Sequence, residues 1–88
     1  MNDEQKKLAR HALGLRNGQK TSCRNHFVAG VGHTDWSNLM EMVKSGDAIM
    51  RKGSVLSGDD PVFFITAQGA KAAILPGEKL CAKDFPNA

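Results

Sequence analysis

The sequence predicts an α+β fold, a single small domain in which three helices pack on a two- or three-stranded antiparallel sheet. Three observations carry that prediction. Trp36, Leu39, Met40 and Val43 recur at i, i+3, i+4 and i+7, the period of one helix face. Two short β-prone runs, 48–52 and 62–66, flank a polar loop through Gly53, Asp59, Asp60 and Pro61, as the strands of a hairpin do. A chain of 88 residues has room for one thin core and no second domain. The domain is expected over residues 1–77, with 78–88 as a C-terminal tail.

The elements follow in order. Asn2 or Asp3 can cap a first helix in which Leu8, Ala12 and Leu15 or Leu13 line one side. Glu4 lies in its first turn and Arg10 and His11 near its end, as the helix dipole prefers, and Gly14 stops it. Asn17-Gly18 marks a turn in the connection that follows, and the run from Cys23 to Ala29 is too short to classify, with Phe27 and Val28 as its core contacts. Gly30 and Gly32 bracket Val31 in a passage too short for a dinucleotide loop. Thr34 or Asp35 caps the second helix, which ends with Lys44 and Gly46. Ala48, Ile49 and Met50 form the outgoing strand, and Val62 to Ile65 the return strand. Thr66 can cap a last helix through Ala67, Ala70, Ala73 and Ile74, closed by Pro76 and Gly77. The tail mixes charge with Leu80 and Phe85 and is expected either to dock weakly or to stay mobile. The predicted core is Leu8, Leu13, Phe27, Trp36, Leu39, Val43, Ile49, Phe64, Ile65 and Ile74.

Composition excludes several classes of function. Apolar runs such as Val62–Ile65 fall far short of the roughly 20 residues that cross a bilayer. No apolar stretch follows Lys6 and Lys7 as in a secretory leader, so a cytoplasmic location and no membrane partner are expected. Cys23 and Cys81 are far apart and show no paired spacing, which suits reduced thiols. There is no tyrosine and little other aromatic content, which argues against a stacking platform for single-stranded bases.

Charge is the most informative functional signal. The net charge is +3, and Lys6, Lys7, Arg10, Arg16, Lys20 and Arg24 follow one another with no intervening acid. Such a run suits contact with phosphates through counterion release, and it equally suits a solvated face. The candidate contact set for nucleic acid or another partner is Lys6, Arg10, Arg16, Lys20, Arg24, Lys44, Arg51 and Lys52.

Catalytic and metal-binding patterns do not emerge. Cys23, His26, His33 and Asp35 offer zinc-ligand types without the spacing of a structural site. Cys23 and His26 lack an assignable third group for an activated thiol. Asp59 and Asp60 precede Pro61, where loop acids serve turn geometry. Neither an enzyme nor a cofactor is therefore expected. Met42 falls off the apolar stripe of the second helix and, with Val55 and Leu56, hints at an exposed apolar contact.

The residues Leu39 to Gly46, followed by Phe64, Ile65, Thr66, Ala67, Gln68 and Gly69, resemble the end of winged helix-turn-helix domains. The resemblance covers about half of the chain. It implies a winged-helix-like domain in which the second helix, with Asn38, Glu41, Met42 and Lys44 outward, faces a groove, and Arg51, Lys52 and Ser54 approach the wing. The helical pair expected before a recognition helix is not evident, since Thr21 to Gly32 holds two glycines and no helical period. Ala9–Leu15, Arg24–Gly30 and the Gly32-His33 step are in turn similar to small proteins encoded by phages and prophages, which implies a small accessory or regulatory protein. Two function classes follow: a nucleic-acid binder using its basic N-terminal segment and wing, or a non-enzymatic module, such as a phage-encoded modulator or inhibitor, presenting that basic face to an acidic protein surface.

Overall fold

The computed structural model describes residues 1–15, 18–53 and 58–86. Along the chain run α1 (Asp3–Leu13), β1 (Phe27–Val28), α2 (Trp36–Ser45), β2 (Ala48–Arg51), β3 (Val62–Ile65) and α3 (Ala67–Ala73). Among the described residues, three helices and a three-stranded antiparallel sheet of order β1-β3-β2 make the α+β architecture expected from sequence. The third strand is Phe27–Val28, which periodicity could not classify at two residues.

Local chemistry sets the helix ends. Asn2 accepts from the backbone of Gln5, whose own side chain accepts from the Asn2 backbone, a reciprocal capping box. Gly14 and Gly46 close α1 and α2 in the left-handed region, at φ 75° and 86°, where a side chain is disfavoured. Asp35 occupies the α2 cap position without a side-chain cap bond. The Thr66 hydroxyl accepts from the Gly69 N–H and donates to the Gly46 carbonyl at 2.7 Å, joining the start of α3 to the end of α2.

Helices cover one face of the sheet. The core joins Leu8, Ala9, Ala12 and Leu13 of α1, Leu39 and Met42 of α2, Phe63 and Ile65 of β3, and Ala70 and Ala73 of α3. On α3 the buried residues are Gly69, Ala70 and Ala73, which let its backbone approach its neighbours. A Cβ at Gly69 would overlap the backbone of Asp47. Trp36 packs edge-on against Phe63 with ring centroids 5.8 Å apart.

Three expectations about the core are corrected. Phe63 is completely buried and Phe64 half-buried, because Phe63 shares the helix-facing side with its partners Phe27 and Met50, and the adjacent residue must face the other way. Ile49, paired with Phe64, follows it to the outer side and stays 42% exposed. Met42 is completely buried, since the buried seam of α2 runs through Leu39 and Met42, part of a turn from the stripe that places Val43 at its centre. Met42 therefore offers no surface contact, and Val55 and Leu56 lie outside the described residues.

Beyond Gly77 the tail is docked. Thr21 forms a parallel bridge with Lys79, the Cys81 N–H donates to the Ser22 hydroxyl at 2.7 Å, and Phe85 is buried. No helix among the described residues is long and apolar enough to cross a membrane.

Candidate functional site

Three cations of the basic run, Lys7, Arg10 and Arg24, come together where the end of α1 meets the segment 22–26. The carbonyls in the last turn of a helix need donors from elsewhere. The Cys23 and Arg24 N–H groups reach the Leu13 carbonyl, and the His26 N–H reaches Ala12 at 3.1 Å. This strap fixes Arg24, whose guanidinium donates to the His11 carbonyl from Nε at 3.2 Å and Nη2 at 2.8 Å. A cation at the C-terminal end of a helix also complements the dipole.

The strap and α1 enclose an open hollow of about 640 Å³ lined by Lys7, Arg10, His11, Leu15 and Arg24, with no acid among them. Lys7 and His11 stand one turn apart on the exposed side of α1. An adjoining hollow is lined by His11, Arg24, His26, Phe27 and Val28. Phe27 lies edge-on between His11, at 5.4 Å, and His33, at 5.7 Å. All three histidines of the chain thus line hollows beside Lys7 or Arg24, and the same face carries two acids, Glu4 at 3.7 Å from the Lys7 ammonium and Asp35 at 3.7 Å from His33 Nδ1.

Arg10 plays a different part. Its guanidinium grips the Glu78 carboxylate with both terminal nitrogens, the longer contact at 2.7 Å, and also donates to the Ala73 carbonyl. The Glu78 side chain is only 5% exposed. The Arg10 hydrogen bond holds its carboxyl far below the usual range, at about 2, and the Leu75 N–H and the nearby charge of Lys20 act in the same direction. Glu78 in turn raises the Arg10 pKa, mainly through that hydrogen bond. Arg10 is thereby committed to an internal pair while still lining the hollow.

The remaining candidates divide between surfaces. Lys6 is exposed on α1, and Lys20 lies close enough to Glu78 to lower its pKa. Lys44 lines a shallow depression on α2 with Met40, Glu41 and Val43. Arg51 lies on the outer face of the sheet in a hollow shared with Ile49, Phe64 and Asp84, and Lys52 is exposed just beyond β2. Arg16 and Ser54 lie outside the described residues. Asn38 and Glu41 both accept from Gln5 Nε2 of α1, at 3.4 and 3.0 Å, although Glu41 stays exposed. The groove-facing row drawn from the resemblance is thus half spent on an internal contact.

His33 Nδ1 accepts from the Asp35 N–H at 3.0 Å, both cysteines are free thiols, and among the described residues no three His, Cys, Asp or Glu side chains gather as a metal-ligand set. Sequence reasoning noted Lys7 within the basic run but did not select it, and His11 only as a favourable helix-end residue. Their four-residue spacing on α1 was the available signal. No protein-family model, curated protein or solved structure matches this chain.

Proposed function

We propose that this protein is a small accessory or regulatory protein that binds the phosphate backbone of nucleic acid through the basic face of α1 and the strap that follows it. The carrying observation is the acid-free hollow on which Lys7, His11 and Arg24 converge. Lys6 and Lys20 add further cations to the same part of the chain. Lysine and arginine around a concave surface attract phosphates through counterion release without reading sequence.

The α2 surface supports backbone contact over base reading. Lys44 is its one basic residue, and Glu41, which phosphate would repel, lies in the same depression. A winged-helix-like arrangement agrees with α2 leading directly into the β2–β3 hairpin and with β1 pairing to the return strand. Only turns over Val31–Asp35 stand where a second helix of the pair would be.

The reading is tested by mapping duplex DNA on the isotope-labelled protein by NMR. Backbone amides of Lys7, His11 and Arg24 are expected to shift, and those of Lys44 to remain still. Shifts confined to α2 and the hairpin would reject the α1 face.

A further inference from the structure

Independently of the nucleic-acid reading, we infer that the outer edge of β2 is a docking site for an extended, acidic segment of a partner protein, which adds to the sheet as a fourth strand.

The backbone register shows which groups of β2 are available. Asn25 donates to the Ile65 carbonyl at 3.0 Å and accepts from the Ile65 N–H at 2.8 Å, so its amide stands in for a strand residue on the β1 side. Backbone groups alternate in direction along a strand, so those of Phe64 and Val62 face β2, and those of their partners Ile49 and Arg51 face β3. The next step agrees, with the Thr66 N–H bonded to the Asp47 carbonyl at 3.0 Å. Ala48 and Met50 therefore direct their N–H and C=O groups away from the sheet. Ala48 is buried at 1% exposure, whereas Met50, at 43%, is within reach of an incoming strand. Among the described residues β2 has no strand beyond it. An edge of this kind is a template for strand addition.

The side chains identify what fits. Ile49 and Phe64 form a cross-strand pair on the outer sheet face, over a mainly apolar hollow of about 450 Å³ that Phe85 helps to line. Alternate side chains of an added strand would extend that apolar face. Arg51 and Lys52 continue the edge, and neither makes an ion pair among the described residues. Among the described residues Asp84 is the one acid lining the hollow. Charge also decides between occupants. A second copy pairing β2 against β2 would bring two Arg51–Lys52 sets onto one short ladder, and like charges across strands repel. A strand carrying glutamate or aspartate among apolar residues would complement them.

The test uses a capped six-residue peptide of three valines followed by three glutamates, its lysine-for-glutamate counterpart, and duplex DNA, each titrated into isotope-labelled protein. The glutamate peptide is expected to shift the amides of Ile49–Lys52 and to slow hydrogen exchange at Met50. The double variant Arg51→Glu/Lys52→Glu should weaken its binding about tenfold or more, as charge complementarity requires. M50P should abolish binding, since proline removes an edge donor outside the β2–β3 ladder. Should M50P fail to fold, the charge-reversed variant still decides the matter. Equal binding of the lysine peptide, β2 shifts produced only by DNA, concentration-dependent self-association through β2, or no shift in β2 with the glutamate peptide would each overturn the inference.

Discussion

Arg10 shows how one side chain can have the charge of a ligand-binding residue and a structural task. Its pair with Glu78 holds the chain beyond α3 to the last turn of α1, and the nearly buried carboxylate leaves it little freedom. The folded chain depresses the Glu78 pKa from 4.5 to about 2, so the pair stabilises fully above the unfolded value and is lost as pH falls through that window. Acid titration of the unfolding free energy should therefore show a decline from about pH 4.5 to 2 that E78Q largely lacks. At neutral pH, E78Q should cost about 1–3 kcal/mol, the worth of hydrogen bonds to a charged group. A second comparison concerns α2 and β2. Met42→Ala empties a completely buried site and should cost about 2–5 kcal/mol, whereas Ile49→Ala, on the open sheet face, should cost under about 1 kcal/mol by urea denaturation. A larger loss at Ile49 than at Met42 would restore the sequence-based placement of these two residues.

At the level of elements, α3 is held by its first turn. Thr66→Ala removes the cap on Gly69 and the bond to Gly46, and is expected to cost about 1–2 kcal/mol. Gly69→Ala would ordinarily gain about 1 kcal/mol of helix propensity. Here it should destabilise, because the new Cβ would overlap the Asp47 backbone, and a raised thermal midpoint would refute that packing. Helix ends and the hairpin were legible in sequence, because capping residues, glycines and apolar periods act over three or four positions. The two adjacent phenylalanines were not. Which of Phe63 and Phe64 faces inward depends on the pairing of β3 with both neighbours, a relation that neither residue carries alone. Similarly, Phe27–Val28 becomes a strand only because Val62–Phe63 lies beside it.

For the whole molecule, an acid-free run in sequence became a partly gathered surface. Lys7 and Arg24 meet because the strap answers the open carbonyls of α1, a closure that spacing along the chain could not reveal. The pairing of Arg10 was hidden from the sequence because its acid, Glu78, lies far along the chain, in a tail that docks through Thr21, Ser22 and Phe85. Lys44 and Arg51 occupy other surfaces, so a ligand gripping the α1 face need not touch them.

The salt dependence of duplex DNA binding tests the central proposal most directly. Lys7, loosely paired with Glu4, and Arg24 line the hollow, and Lys6 and Lys20 are exposed along the same stretch of chain, so at about 0.9 per contact the slope of log affinity against log salt is expected at about −2 to −4. Fluorescence anisotropy of a labelled duplex should show that slope, and Lys7→Ala/Arg24→Ala should reduce its magnitude by about two, equally on unrelated sequences. Absence of binding at ~50 mM salt, where electrostatic contact is strong, or a slope unchanged in the double variant, would contradict the account.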